Sequence, residues 1–253
     1  LSSLYQEHTG RYFNHNVHSV RVLDDMVNWN ISLQTLDGIL CHNGELELKE
    51  YRPCEMSTFV EYDKKVEACY VDENAIGELI PCTLEGCVMR ICDIIAYLGK
   101  DRQDAMRLNL LKESPFTAGA IGTSNGEIIN NFSVNIIENS YGKDYLKMDE
   151  EYFDALRQAK KENYEMIYNN KSLNDLYENE IRPMFGELYE ELLRQAESGD
   201  KSSVFYRHHM AYMEKNNFYV KSHVRKPYAE QEKNQLVVDY LASMTDDYFI
   251  ALY

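Results

Sequence analysis

The stretch that decides the fold runs from residue 83 to residue 101 and reads Thr83-Leu84-Glu85-Gly86-Cys87-Val88-Met89-Arg90-Ile91-Cys92-Asp93-Ile94-Ile95-Ala96-Tyr97-Leu98-Gly99-Lys100-Asp101. Its apolar residues recur at steps of three and four, the spacing of one face of an α-helix. That face carries Leu84, Val88, Ile91, Ile95 and Leu98, with Cys92, Ile94 and Ala96 beside it. Thr83 can cap the N-terminus, and Glu85 lies in the first turn, where the helix dipole favours negative charge. The stretch therefore predicts one long and mostly buried helix.

A polar stripe runs along the same helix. Asp93, Tyr97 and Asp101 stand at positions i, i+4 and i+8, so their side chains stack along one side. Asp93 is set in an apolar run, and burying a charge without a partner costs on the order of several kcal/mol. We therefore expect Asp93 to meet an arginine, a metal ion or a ligand. The pattern alone favours an ion pair, for example with Arg90.

Residues 83–104 resemble a helix of the HD-domain triphosphohydrolases that act on deoxynucleoside triphosphates. In that family the helix carries the last metal-binding aspartate, followed by a tyrosine four residues later and an aspartate eight residues later. The matching residues here are Asp93, Tyr97 and Asp101. The resemblance implies that Asp93 binds a divalent metal ion such as Mg²⁺ or Mn²⁺. It also implies that Tyr97 and Asp101 line the site for the sugar and phosphates of the substrate.

A second match surrounds the first pair of histidines. Residues 13–19 read Phe-Asn-His-Asn-Val-His-Ser and are similar to the family's aromatic-x-His-Asn-x-x-Ser segment. The family's histidine faces the phosphates and is proposed to transfer a proton, a role that suits an imidazole because its pKa lies near neutrality. The resemblance implies that His15 is catalytic. His18 is expected to be structural, because two histidines one turn apart are weak grounds for a metal site.

Two further segments are similar to the family and carry no predicted chemistry. Residues 36–42 match a Leu-x-Gly-Ile-Leu-x-His run, and we expect His42 to pack against or cap its helix. Residues 237–248 match a signature late in the family's chains. There Thr245 is expected to cap a final helix, so the segment is interpreted as a corner between two helices. Residues 204–213 match no family motif, and a packing helix is favoured over a substrate wall that uses Arg207.

One departure from the family concerns the metal. The family is named for a histidine and a His-Asp pair that hold the ion together with the later aspartate, and no His-Asp dipeptide occurs in the 253 residues. Of the expected ligands only Asp93 is present. In family order the others belong upstream of Leu1. We expect either that they lie on a segment preceding this sequence or that the chain is a divergent member without the metal.

The remaining sequence reads as helices joined by polar loops. It predicts an all-α protein, an HD-type helical bundle with a C-terminal helical extension. Residues 1–112 are assigned to the C-terminal part of the catalytic core and residues 113–253 to the extension. Pro183 is expected to bend a long helix. Short strands are considered only in residues 45–56 and 216–226, where 218–220 is β-prone.

Composition narrows the class of protein. The chain has 44% hydrophobic residues, enough for one domain or one domain with an extension. Forty-two acidic against 26 basic residues give a net charge of −16, which disfavours nonspecific binding to nucleic acid or anionic lipid. A polyphosphate would then need a metal ion or a local basic pocket. No apolar run reaches membrane-spanning length, and six cysteines without a Cys-x-x-Cys pair favour reduced thiols in the cytoplasm.

The resemblance implies hydrolysis of a deoxynucleoside triphosphate, such as dGTP, to a deoxynucleoside and tripolyphosphate. The expected partners are that substrate, a divalent metal ion and further copies of the same chain in a homo-oligomer. Two alternatives stay open. One is an HD phosphohydrolase that acts on other nucleotides or phosphoesters. The other is a nucleotide-binding regulatory or oligomerisation module without catalysis.

Overall fold

A computed structural model of the chain describes residues 1–27, 29–42, 47–111, 116–216 and 227–253. The α-helices are α1 (Ser2–Thr9), α2 (His15–Arg21), α3 (Leu33–Leu40), α4 (Phe59–Val71), α5 (Leu84–Arg107), α6 (Asn125–Ser140), α7 (Glu150–Asn163), α8 (Lys171–Leu176), α9 (Arg182–Ser198), α10 (Ala211–Asn216), α11 (Lys233–Ala242) and α12 (Asp246–Leu252). Two short strands, β1 (Glu50–Tyr51) and β2 (Leu146–Lys147), pair in antiparallel fashion. The predicted all-α class is confirmed. The β-prone residues 218–220 lie outside the described residues.

Four π-helical segments interrupt or extend the α-helices, and a π-turn takes about one residue more than an α-turn. They are Val22–Met26, Tyr164–Tyr168, Tyr177–Ile181 and Phe205–Met210. The segment Tyr177–Ile181 joins α8 to α9 immediately before Pro183, which occupies the first turn of α9. A helical break at Pro183 was predicted, and the proline stands where its missing N–H costs nothing.

The chain divides into two compact units. The first unit comprises Leu1–Ser32, Asp63–Ala75 and Leu176–Tyr253. Helices α9 and α11 pack together in it, and α1 packs on α11. Its core is rich in aromatic and branched side chains, and the fully buried members are Tyr189, Phe205, Leu236, Val237 and Val238.

The second unit comprises Leu33–Tyr62 and Ile76–Asp175 and is organised around α5. This helix packs against α3, α6 and α7. Thr83 caps it as predicted, because its Oγ1 accepts a hydrogen bond of 3.0 Å from the Gly86 N–H. The core includes Ile94, Leu98, Ile128, Phe132 and Leu156, all fully buried.

The buried side of α5 differs from the predicted one. Val88 is 44% exposed, and Cys92 and Ala96 are exposed as well. The side that is buried carries Cys87, Ile91, Ile94, Ile95, Leu98 and Ala105. Both sets keep steps of three and four, so spacing alone does not distinguish them. The difference arises because α3, α6 and α7 pack against the side of α5 that carries Cys87, Ile91 and Ile94. The side with Val88, Cys92 and Ala96 stays exposed to solvent.

The boundary between the two compact units differs from the boundary predicted at residue 112. Each unit draws on segments from both sides of that position. The assignment of residues 1–112 to a catalytic core and 113–253 to an extension therefore stays a prediction about function. Within the described residues no helix is both long and apolar enough to cross a bilayer. The six cysteines, all of them described, form no disulfide.

The corrected side of α5 can be tested with one pair of variants. Ile94→Ala removes a fully buried side chain, and we expect it to lower the free energy of unfolding by about 3 kcal/mol. Val88→Ala shortens a side chain of the same helix that was expected to be buried and is 44% exposed, and we expect a loss below about 1 kcal/mol. Urea denaturation followed by circular dichroism measures both. Equal losses would contradict the orientation of α5.

Candidate functional site

A cavity of about 670 Å³ opens in the second unit, a size typical of small-molecule sites. Tyr97 of α5 lies on one side of it. The other side is formed by α7 and by the π-helical segment that follows. The lining residues that matter for ligand chemistry are Tyr97, Arg157, Lys160, Lys161, Tyr164 and Tyr168. The cavity thus combines phenol rings with three cations in an otherwise acidic chain.

Two of the aromatic residues are positioned by the π-helical segment Tyr164–Tyr168. Tyr164 and Tyr168 are four residues apart and begin and end this segment. Residues at this separation lie on the same side of an α-helix and of a π-helix alike. Both line the cavity together with Tyr97. Their spacing is compatible with a shared side, but no motif marks them, so these two tyrosines were not predicted as site residues.

The three basic side chains of the cavity differ in whether an acidic residue pairs with them. Lys160 forms an ion pair with Glu47, and Lys161 lies 3.9 Å from Glu165. Arg157 forms no ion pair with any residue that the structure describes, although Asp154 also lines the cavity. Arg157 is exposed, so solvent screens its field until a ligand displaces water. Its guanidinium group is the cation best placed to bind a phosphate.

Asp101 reaches the cavity through Tyr168, whose hydroxyl donates a hydrogen bond to Oδ2 of Asp101. Burial raises the pKa of the Asp101 carboxyl, and the hydrogen bond from Tyr168 opposes that change. Burial and the neighbouring carboxylate raise the pKa of Tyr168. Tyr97 adds to this shift, so both predicted substrate residues act on Tyr168. The structure therefore brings Tyr97 and Asp101 together around one phenol.

Asp93 lies one turn before Tyr97 and is only half-buried, not deeply buried as expected. It does not line the cavity. The ion pair with Arg90 is not formed. Arg90 is 1% exposed and donates instead to the carbonyl of Leu79. Asp93 has no hydrogen-bond or ion-pair partner among the described residues, so its carboxylate is available to a ligand.

A metal site is not complete within the described residues. They contain no group of three or more histidine, cysteine, aspartate or glutamate side chains that can hold a metal ion. Mg²⁺ keeps an octahedral set of oxygen ligands, of which a single carboxylate supplies only part. Asp93 alone therefore does not make a metal centre.

His15 lies in the first unit, whereas Asp93, Tyr97 and Asp101 lie in the second. It is the first residue of α2 and is exposed. The preceding Asn14 has extended backbone angles, and its side-chain N–H donates to the carbonyl of Cys69 at 3.1 Å. His42 hydrogen-bonds through Nδ1 to the Ile39 carbonyl, which agrees with the predicted capping role.

The first unit contains a buried polar network that was not predicted. Asp239 is completely buried on α11. Its carboxylate accepts hydrogen bonds from Nε and Nη2 of Arg21, at 2.8 and 2.6 Å. Tyr228 and Gln235 each donate another at 2.9 Å. Nδ1 of His18 lies 3.6 Å away, so the structural role expected for His18 is packing against this network.

His209 extends the network. Its Nε2 lies 2.7 Å from the Tyr228 hydroxyl. Because that hydroxyl donates its proton to Asp239, Nε2 of His209 must carry a hydrogen and donate to the Tyr228 oxygen. Burial lowers the pKa of His209 to about 4. Asp239 sits in an apolar run just as Asp93 does, and that signal in the sequence marks it as a candidate buried acid.

The comparisons with known proteins agree with this architecture. Residues 146–253 match the family model HD_assoc, described as a phosphohydrolase-associated domain. The match covers the C-terminal part of the chain, which in its described residues is helical apart from strand β2 and the connecting loops. No solved structure gives a significant match.

Over nearly its whole length the chain is similar to proteins named deoxyguanosinetriphosphate triphosphohydrolase-like protein. The one from Clostridium perfringens (strain SM101) is 26% identical over 249 residues, 93% of this chain and 58% of that protein. The one from Clostridium tetani is 24% identical over 253 residues, which are 95% of this chain and 58% of that protein. The one from Caldanaerobacter subterraneus is 35% identical over 91 residues, which are 35% of this chain and 27% of that protein. The resemblance seen in the sequence is confirmed, and the chain spans a little over half the length of the Clostridium relatives.

The buried histidine makes stability depend on pH. The pKa of His209 is lowered to about 4 in the folded chain, whereas an unfolded histidine titrates near its ordinary value of about 6.5. Between these values the unfolded state binds more protons. The stabilisation by neutral His209 is therefore complete above about pH 6.5 and is lost as the pH falls toward 4, by at most about 3 kcal/mol. Burial lowers the pKa of His18 as well, which adds in the same direction.

The measurement is urea denaturation of the native chain and of His209→Gln at several pH values from 7 down to 4. We expect the variant to be less stable at pH 7 and to lose less stability on acidification. His208→Gln is the matched control, since His208 is the exposed neighbour on the same segment. A pH dependence in His209→Gln as steep as that of the native chain would contradict this account.

Proposed function

We propose that the chain takes part in the hydrolysis of deoxynucleoside triphosphates, with dGTP as the first candidate, to a deoxynucleoside and tripolyphosphate. The observation that carries the proposal is the cavity lined by three tyrosines and by Arg157, which forms no ion pair with the residues that the structure describes. Asp101 is hydrogen-bonded to Tyr168 at the same cavity. The names of the relatives and the phosphohydrolase-associated domain support the same class of reaction.

We infer a role for the lining residues in binding each part of a nucleotide. Arg157 and Lys161 contact the polyphosphate, because guanidinium and ammonium groups form charge-assisted hydrogen bonds with phosphate oxygens. Tyr97 and Tyr164 contact the flat faces of the sugar and base. Asp101, held by Tyr168, accepts a hydrogen bond from a sugar hydroxyl.

In the reaction itself a water oxygen forms a bond to the α-phosphorus while the bond to the 5′ oxygen of the sugar breaks. The leaving oxygen takes up a proton, the water loses one, and the products are a deoxynucleoside and tripolyphosphate. His15 is proposed to supply the proton to the leaving oxygen. Asp93 is proposed as one ligand of a divalent ion such as Mg²⁺ or Mn²⁺, which neutralises phosphate charge when bound. The described residues do not supply the rest of that ligand set.

Binding is tested with Arg157→Gln. We expect this variant to bind dGTP about tenfold more weakly than the native chain, because it loses a charge-assisted hydrogen bond to phosphate. Arg52→Gln is the matched control. Arg52 is an exposed arginine of the same unit that pairs with Glu50, stacks on Tyr145 and does not line the cavity. Isothermal titration calorimetry measures all three proteins. If both variants weaken dGTP binding equally, the loss reflects the net charge of the chain and not a contact in the cavity.

Catalysis is tested by following the products of dGTP with ³¹P NMR in the presence of Mg²⁺ or Mn²⁺. We expect tripolyphosphate as the phosphorus-containing product, and we expect Asp93→Asn to reduce its rate of release by at least about a hundredfold. Orthophosphate or pyrophosphate in its place would favour an HD phosphohydrolase of different specificity. Glu85→Gln, which alters an exposed carboxylate on the same helix, serves as the control.

A second candidate is a nucleotide-binding regulatory or oligomerisation module without catalysis. The observation that favours it is the incomplete metal site among the described residues, together with the lack of a His-Asp dipeptide in the sequence. This candidate predicts that dGTP binds to the cavity and is recovered unchanged with either metal. The proposed homo-oligomer is common to both candidates and is measured by sedimentation velocity with and without dGTP.

A further inference from the structure

A second cavity, of about 380 Å³, lies in the second unit between the C-terminal half of α5 and the start of α6. Its lining includes Arg102, Met106, Arg107, Phe116, Thr123 and Ser124. None of the described residues that line it is an aspartate or a glutamate, although the chain has 42 of them. Two arginines without a carboxylate on the wall favour a negatively charged occupant.

Arg102 supplies the strongest sign of a ligand. It is 3% exposed, and its Nε donates to Oδ1 of Asn163 at 2.8 Å. Nη2 donates to Oε2 of Glu162 and to the Ala159 carbonyl, each at 3.2 Å, but Nη1 has no hydrogen-bond partner among the described residues. A buried donor without an acceptor is energetically unfavourable, so such a group points to a bound water, ion or ligand.

The carboxylate of Glu162 does not line this cavity. Its carboxylate accepts hydrogen bonds from the Thr117 hydroxyl at 2.7 Å and from the Gln158 amide at 3.0 Å. These contacts lower the pKa of Glu162 against the effect of its burial, so it stays ionised. Glu162 thus balances Arg102 without lining the cavity. Arg107 adds a second cation, whose Nη1 lies 4.0 Å from Oδ1 of Asp104, an exposed and therefore weak contact.

The N-terminus of α6 borders the same cavity. This helix has 16 residues and is capped by Ser124, whose Oγ accepts from the Glu127 N–H. It approaches α5 closely at Gly99, where a Cβ would lie 2.7 Å from the Cα of Asn125. The carboxylate of Glu127 accepts from the N–H groups of Thr123 and Ser124, so it offsets the partial positive charge of the helix start. The positive charge at this cavity therefore comes from Arg102 and Arg107, and the helix start contributes the Thr123 side chain to the lining.

We propose that this second cavity binds a phosphoryl group carried by a small aromatic or apolar molecule. Arg102, Arg107 and the Thr123 hydroxyl contact the phosphoryl oxygens, as guanidinium groups do elsewhere. Met106 and Phe116 contact the apolar body, since the volume is larger than one phosphate ion fills. The site shares no lining residue with the Tyr97 cavity, so the inference does not rest on the function proposed above.

Phenyl phosphate and inorganic phosphate are the probes, and they distinguish a phosphomonoester from free phosphate. Calorimetric titration of the full 253-residue chain is expected to give saturable binding of phenyl phosphate, tighter than that of inorganic phosphate. Met106→Trp fills the cavity and Arg107→Gln removes one cation. We expect each variant to weaken phenyl phosphate binding about tenfold. Arg107 is exposed, so its variant keeps the fold even if the tryptophan at 106 does not.

Arg157→Gln is the control for the Tyr97 cavity and is expected to leave phenyl phosphate binding unchanged. The inference is overturned if the native chain shows no saturable binding. It is also overturned if Arg107→Gln binds as well as the native chain, or if Arg157→Gln is the variant that loses binding. Equal affinity for the two probes overturns the assignment of a phosphomonoester, because the apolar wall then contributes nothing.

Discussion

The cost of burying charge among apolar helices shapes both units of this chain. In the first unit the carboxylate of Asp239 is completely buried and is matched by the guanidinium of Arg21 with two hydrogen bonds. In the second, Arg102 and Glu162 are buried together on α5 and α7. Such pairs contribute little net stability, but breaking one leaves a buried charge that costs about 3–5 kcal/mol. Each pair therefore fixes which helices meet and in what register.

The same constraint separates structural charges from charges available to ligands. Where a buried charge is matched by several hydrogen bonds, as the Asp239 carboxylate is, the group holds the fold. Where a cation lines a cavity with a donor left over, as Arg102 does, or without an ion pair among the described residues, as Arg157 does, it can bind an anion. An exposed arginine such as Arg157 costs the chain little when no ligand is bound. A buried one such as Arg102 must be partly paired at all times, which Glu162 and Asn163 provide.

Much of the fold could be predicted from the sequence, because helix caps and apolar spacing depend on residues that are close together in the chain. Thr83 caps α5 and Thr245 caps α12 as expected. Spacing does not tell which of two overlapping apolar faces the neighbouring helices will cover, so Val88 was expected to be buried and is exposed. Tyr164 and Tyr168 are four residues apart and share a helix side, but no motif in the sequence marks the cavity that they line.

Only part of the candidate site could be predicted from the sequence. Tyr97 and Asp101 were identified through the resemblance and meet around Tyr168, whereas Arg157 and Lys161 lie more than 50 positions later with no motif to connect them. Asp239 could have been proposed as a buried acid, since it stands in an apolar run, but the same pattern at Asp93 gives a half-buried residue without a partner among the described residues. The partner of Asp239, Arg21, lies more than 200 residues earlier, and that pairing is set by the fold.

Electrostatics connects the cavity to the divalent ion that we propose. Three cations and two carboxylates line the Tyr97 cavity, so its own charge is close to balanced in a chain whose net charge is −16. A triphosphate brings several negative charges, and the long-range field of the chain opposes its approach. Arg157 and Lys161 neutralise only part of that charge. A triphosphate held at this site therefore requires a further cation, and the half-buried carboxylate of Asp93, one turn from Tyr97 and without a partner among the described residues, is where the chain offers a ligand to one.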